Sequence, residues 1–431
     1  MVARNFIETD ANMLYPRIDF AGEKTGITGM EFPVLNYLIY FASAIFGYEH
    51  WYGRLINLLF SSVGLWFFYL LVRKYFLHPI AFNATLILAV SVWFSYSRKI
   101  MPDTFSMSLV LMALYVGTNY LEATKNNWIQ LLCYMLLLAF GVLSKLPSGC
   151  LLPILVAFYF NKEIPVSRKW LFAAATAFAL LPVVWWYFYW VPYLVSTYGF
   201  WHFFMGKSIR IGIAEIILHY QDALHNFYDI ALKYIGFLAC ITGLVVMVRK
   251  RDKQMMLIAT LSFVPFLLIM LKAGFTFTHH GYYMIPFVPV MALLAAYGLQ
   301  IIQSIQVKGW IILAIAIEGI AAQQHDFRIH ENYQNCMKLE TALDQFSERT
   351  DLILINSGEY PTPMYFAHRK GWINTNEKVL DPNYIDELKS KGLKYIVILK
   401  RCFGTEVSMN GYPKIVDNDH FCIYKATPKP D

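Results

Sequence analysis

Tyr96-Ser97-Arg98-Lys99-Ile100-Met101-Pro102-Asp103-Thr104 is a polar hinge set between two strongly apolar runs. The flanking segments, 79–97 and 104–121, each have the length and composition of a helix crossing about 30 Å of hydrocarbon. A carboxylate beside an arginine at the edge of a bilayer is costly to keep there, so it marks a candidate functional site. Asp103 also follows Pro102 at a helix start, where an acid favours the helix dipole. Both readings stand on spacing alone.

Further spans of the same kind lie near 52–72, 128–146, 149–160, 169–190, 226–248, 255–272, 282–303 and 308–322. The run at 149–160 is short, and Lys145-Leu146-Pro147-Ser148-Gly149 breaks the chain just before it. Those two segments are expected to form a helical hairpin. The stretch 33–47 is interrupted by Asn36 and Ser43 and reads as a helix lying at the membrane surface. Residues are 57% hydrophobic and only 15% charged, against about a quarter charged in soluble domains. The chain therefore reads as an α-helical polytopic membrane protein. No basic block interleaved with aromatics stands outside the loops, which argues against a nucleic-acid partner.

Loop charges set the expected orientation. One set of alternate loops carries Arg73, Lys74, Lys125, Lys162, Arg168, Lys169, Arg249, Lys250, Arg251, Lys253 and Lys308. The opposite set carries Arg98, Lys99, Lys145, Lys207, Arg210 and Lys272. The richer set is taken as cytoplasmic. Asp103, the loop 191–225, the His279-His280 loop and the tail from about 323 then face the periplasm or exterior of an inner-membrane protein. Glu31, in Gly29-Met30-Glu31-Phe32-Pro33, precedes the first span and faces the same side.

The tail changes character. Leu352-Ile353-Leu354-Ile355-Asn356, Tyr395-Ile396-Val397-Ile398-Leu399 and Phe421-Cys422-Ile423-Tyr424 are short β-type runs, with helical stretches at 361–369 and 383–391 between them. The expected division is an outer-face juxtamembrane region over 1–51, a helical bundle of about ten segments over 52–322, and a small extracytoplasmic α/β domain over 323–431. Cys133, Cys150 and Cys240 sit in apolar spans as small hydrophobes. No cysteine spacing suggests zinc, and Cys402 with Cys422 is a conceivable disulfide if the tail is extracytoplasmic.

Several polar residues stand at membrane edges. Glu31 is either a site carboxylate or the acid that starts the 33–47 helix. Lys145 is either a snorkelling lysine or a binder of lipid phosphate. His279 and His280 read as interfacial hydrogen-bonding residues, and a divalent metal there would need Glu31 beside His280. Tyr282, Tyr283, Trp185, Trp186, Trp190 and Trp201 fit an aromatic belt. Glu318, in the last span, has no evident role.

Taken in order, these elements resemble the GT-C class of polytopic glycosyltransferases. The likeness is to the branch holding protein O-mannosyltransferases and the aminoarabinose transferase of lipid A. It rests on Ala3-Arg4-Asn5-Phe6, Tyr15-Pro16-Arg17-Ile18-Asp19, Glu31-Phe32-Pro33, Phe46-Gly47 and Gly53-Arg54-Leu55. It continues through Ser97-Arg98 to Pro102-Asp103, Lys145-Leu146-Pro147, and His280-Gly281-Tyr282-Tyr283 with Pro286 and Pro289. Each element is short, and their order over about 1–300 carries the match.

The resemblance implies a sugar donor on a polyprenyl phosphate and inverting transfer to a hydroxyl of a lipid, glycan or protein. An acid would take the hydroxyl proton, and cations or a metal would meet the departing phosphate. Asp103 and Glu31, the expected catalytic residues, match the family's additional acids, which shape the pocket or in some members help hold a metal. Arg98 and Lys145, with Tyr282 and Tyr283, are the expected donor-phosphate residues, and Glu31 with His280 the expected metal pair. In the resembling proteins a further helix and the principal base precede the Ala-Arg-Asn-Phe element, so the resemblance also implies an N-terminally truncated chain. Two other classes compete: a lipid or sugar transporter, and a catalytically inactive fragment or assembly subunit. Against transport, the sequence holds no inverted repeat, and its polar positions cluster towards one face.

Overall fold

The computed structural model describes residues 1–199, 206–329, 331–400 and 407–427. Cys402 and Trp201 lie outside them. The chain divides into two compact units. One comprises Met1–Met30, Val191–His202 and Phe327–Asp431; the other comprises Glu31–Trp190 and Phe203–Asp326.

The larger unit is a helical bundle. Among the described residues, Tyr52–Tyr75, Pro102–Glu122, Val166–Tyr198, Lys253–Ala273 and Ile305–Ala322 are long and apolar enough to cross a membrane. Tyr220–Ala231 and Lys233–Lys250 together form a sixth candidate, bent by 97°. This is a multi-pass membrane protein. Pro102–Glu122 is the central helix, 83% buried over its apolar window, whereas Ile305–Ala322 is 11% buried and turns its side chains outward. Small residues let the central helix be approached closely. A Cβ added at Gly64 would run into Ser108 Oγ, and one at Gly141 would meet Val110 at 3.0 Å. Such contacts replace the hydrophobic driving force that helices lack in lipid.

Departures from the expected spans have local causes. The 79–97 run is broken at Ser91, whose hydroxyl caps a short second helix by accepting from the Trp93 N–H at 3.2 Å. The segment after Lys145 is a 3₁₀-helix, Leu146–Phe160, with Pro147 in its first turn and Pro153 inside it. The 226–248 run is bent, and Lys233 there adopts a φ of 60°. Glu318 Oε2 accepts from the Ile235 N–H at 2.9 Å, satisfying a donor that the new helix start leaves open. That gives Glu318 its role. Val34–Phe46 is a helix with Leu35, Ile39 and Ser43 buried and Phe41, Ile45 and Phe46 exposed.

The smaller unit is α/β. Its strands are β1 (Leu352–Ile355), β2 (Lys370–Ile373), β3 (Leu393–Leu399), β4 (Lys414–Asp417) and β5 (Phe421–Lys425), in the order β2-β1-β3-β5-β4. β1 pairs parallel with β2 and β3, while β5 runs antiparallel to β3 and β4. Helices Thr362–Ala367 and Pro382–Ser390 make the parallel crossovers. Strands β2 and β4 were not among the expected runs. Cys422 is a buried free thiol whose S–H donates to Asp417 Oδ1 at 2.8 Å.

The N-terminal segment is built into this unit. Arg4 pairs with Asp19 at 2.8 Å, both side chains buried, and Asn5 donates to the other Asp19 oxygen at 2.7 Å. Gly371 N–H donates to Asp19 O at 3.0 Å, and Gly22 N–H donates to Gly371 O at 2.7 Å, so residues 19–22 extend the β2 edge. His368 places one ring nitrogen 2.8 Å from Glu8 and the other 2.8 Å from Glu340. Burial pushes both carboxyls up, but His368, with Arg349 2.8 Å from Glu340 and the charges of Arg4 and Arg349 near Glu8, holds each below its ordinary value. Two elements of the family resemblance, around Arg4 and Asp19, are thus core residues of this unit.

Candidate active site

Three chain breaks in the larger unit converge on one lysine. The hinge 96–101 is held by Asn57, fully buried on helix Tyr52–Tyr75. Its amide donates to the carbonyls of Tyr96 (3.0 Å), Lys99 (2.8 Å) and Met101 (3.3 Å), and its oxygen accepts from Thr104 Oγ1 at 3.2 Å. This fixes where helix Pro102–Glu122 begins and places Asp103 in its first turn. Lys145 ends helix Trp128–Ser144 in an extended conformation that turns its side chain off the helix. Glu31 is brought to that end by its neighbour: Phe32 N–H donates to Leu143 O at 3.2 Å, and the Phe32 ring meets Trp186 edge-on at 4.8 Å. Tyr187 hydroxyl donates to the same carbonyl at 2.8 Å.

The resulting geometry is compact. Lys145 Nζ lies 2.8 Å from Glu31 Oε1 and 3.7 Å from Asp103 Oδ1. Asp103 is 4% exposed and Glu31 23%, so the second acid is the more accessible. Asp103 Oδ2 is buried with no hydrogen-bond partner among the described residues. Lys145 Nζ sits 5.1 Å from the centre of the Tyr282 ring. That ring stacks on His280 at 5.1 Å and on Tyr283 at 4.9 Å. Burial, then the charges of His279 and Lys145, hold His280 below its ordinary value.

Of the residues singled out in the sequence, Glu31, Asp103, Lys145 and Tyr282 are brought together, with His280 and Tyr283 stacked behind Tyr282. Arg98 turns back on its own helix. Its guanidinium rests 4.5 Å over the Phe94 ring, and Nε donates to Phe94 O at 3.2 Å. His279 likewise packs on Phe275. For the expected metal pair, Glu31 Oε1 lies 2.8 Å from the Lys145 ammonium and the His280 ring stacks on Tyr282. Among the described residues no three His, Cys, Asp or Glu side chains group to hold a metal ion, and the Lys145 ammonium stands between the two carboxylates. Asn57 escaped the sequence reading; its only signal is an amide inside an apolar span, one turn from Arg54.

Chemically, two carboxylates sharing one ammonium supply a proton acceptor and a cation within one contact shell. An ammonium has three N–H donors; Glu31 takes one, and Asp103 at 3.7 Å is an ion-pair neighbour beyond hydrogen-bond reach.

Comparison with known proteins bears on this arrangement. Residues 31–187 match the sequence model of the dolichyl-phosphate-mannose-protein mannosyltransferase family, a stretch that holds Glu31, Asp103 and Lys145. ArnT from Cupriavidus metallidurans, solved bound to undecaprenyl phosphate, superposes with a TM-score of 0.58 at 11% identity, over 99% of this chain and 92% of that one. The chain has the GT-C fold. ArnT in the apo state gives 0.60 at 12% identity, over 100% of this chain and 93% of that one. The Archaeoglobus fulgidus oligosaccharyltransferase, solved as a complex with Zn and sulfate, gives 0.59 at 15%, over 92% of this chain and 63% of that one. At these identities the likeness is one of fold. No curated protein matches the chain in sequence.

Proposed function

We propose that this GT-C protein moves a sugar from a polyprenyl-phosphate carrier to a hydroxyl acceptor, with Glu31, Lys145 and Asp103 at the reacting end. The observation that carries this reading is the single ammonium held between two carboxylates at a helix break, within the segment that matches the mannosyltransferase family. The acceptor oxygen attacks the anomeric carbon while its proton passes to a carboxylate, Asp103 or Glu31. The bond from that carbon to the phosphate oxygen breaks, and the polyprenyl phosphate leaves with the bonding pair. A Lys145 N–H not taken by Glu31 meets the charge growing on that phosphate. One displacement inverts the anomeric carbon. The Lys/Arg bias of the loops supports an outward-facing site at the inner membrane; the acceptor proposed there is a lipid, glycan or protein hydroxyl.

The test is transfer by the full chain in lipid nanodiscs from defined undecaprenyl- and dolichyl-phosphate sugars. Release of polyprenyl phosphate with an inverted product is expected. Donor binding without release would refute the transferase reading and favour an assembly subunit; movement of the intact donor across vesicles would favour a transporter.

A further inference from the structure

Two buried hydroxyls tie the Lys145 break to the helix that carries Asp103, and the chemistry above uses neither. Ser106 lies three residues after Asp103 on helix Pro102–Glu122, and Ser148 lies three residues after Lys145; they are 0% and 1% exposed. Their oxygens are 2.8 Å apart. Ser106 O–H is 2.6 Å from the Gly141 carbonyl, and Ser148 O–H is 2.8 Å from the Lys145 carbonyl. Both carbonyls stand at the end of helix Trp128–Ser144, where Gly141 O also takes the Lys145 N–H at 3.3 Å and Lys145 O the Ser148 N–H at 3.1 Å. Whichever way the two protons point, the pair bonds the end of that helix to the central one.

The spacing makes this a register device. Residues three apart on a helix share a face, so Ser106 is at a fixed offset from Asp103. The Gly141 backbone presses against the same helix at Val110 and Leu109, so the two helices are in contact at this level. Deep in an apolar bundle, a lost hydroxyl is not replaced freely by solvent.

We propose that Ser106 and Ser148 are positioning residues that set the Lys145 ammonium against Asp103 and so against the donor phosphate. The inference rests on the transferase reading for what the ammonium does, and on the geometry alone for how it is held.

The test uses Ser106→Ala, Ser148→Ala and the double variant of the full chain in nanodiscs. Undecaprenyl phosphate affinity is measured beside steady-state kinetics with a polyprenyl-phosphate sugar. Each single variant is expected to weaken undecaprenyl phosphate binding and raise the donor KM about tenfold, the scale of one lost hydrogen bond. The acceptor KM should not move. The double should be no worse than the singles, because one network is lost either way. Unchanged undecaprenyl phosphate affinity, losses that multiply in the double, or losses falling equally on donor and acceptor would overturn the proposal. If the unsubstituted chain binds undecaprenyl phosphate but transfers nothing while the serine variants lose binding, the transferase reading fails and the positioning stands. Full transfer with indifferent serines gives the reverse.

Discussion

Replacing Lys145 with methionine removes the one cation between Glu31 and Asp103 while keeping a long apolar stem. At an effective dielectric of about 20, unit charges at 2.8 and 3.7 Å attract by roughly 6 and 4.5 kcal/mol. Desolvation of the three groups offsets much of that. The net cost of stranding one buried charge is about 3–5 kcal/mol. It falls chiefly on Asp103, which is 4% exposed, and less on Glu31 at 23%. Lys145→Met should therefore lower the thermal unfolding midpoint in detergent measurably. Asp103→Asn/Lys145→Met, which removes the buried carboxylate's charge together with the ammonium, should recover most of that loss. Sugar transfer should behave differently. Loss of the group meeting the phosphate costs roughly 10²–10³ in rate, and the double variant should not restore it. Fluorescence-detected unfolding and a polyprenyl-phosphate release assay on the same preparations separate the two effects. A double variant as unstable as the single would refute the charge argument. Transfer by Lys145→Met at the native rate would refute the role given to the ammonium.

Asp103→Asn alone should abolish transfer at an unchanged membrane level of protein; native turnover would reduce Asp103 to a helix-start acid. The clasp around His368 should make the smaller unit acid-sensitive. Glu8 and Glu340 sit below their ordinary 4.5, so their contribution is fully present above that value and is lost as pH falls through their lowered folded values. Proteolysis of the full chain between pH 6 and 3 should cut within 327–427 only below about pH 4.5, and His368→Gln should flatten that profile; an unchanged profile would count against the clasp. Residues 323–431 should be cut by protease added to intact spheroplasts; protection there would reverse the proposed orientation.

Much of the bundle was legible because apolar runs at 52–72, 104–121 and 255–272 leave a bilayer helix as their one satisfied state. What stayed hidden was set by side chains acting at a distance. The Ser91 break and the bend before Lys233 lie inside apolar runs, and the bend depends on Glu318 from a helix far along the chain. Strand β2 was missed because Gly371, with a φ of 149°, interrupts a four-residue run. Strand β4 is just as short, and its outer positions are charged. Glu31, Asp103 and Lys145 could each be singled out from a polar break beside an apolar run. Their pairing could not, since it depends on Asn57 and Phe32 bringing three breaks to one place. Arg98 looked equivalent to Lys145 in sequence, yet it turns onto Phe94.

The segment Leu146–Phe160 has a further consequence. Fifteen residues wound as an α-helix reach about 22 Å, short of a hydrocarbon core about 30 Å thick. At the 3₁₀ rise of about 2.0 Å per residue, the same fifteen reach about 30 Å. The pitch of this segment gives it a reach that its residue count alone would not. Rewinding it to α pitch would draw its two ends together by roughly 7.5 Å, and Lys145 is the residue just before one of those ends.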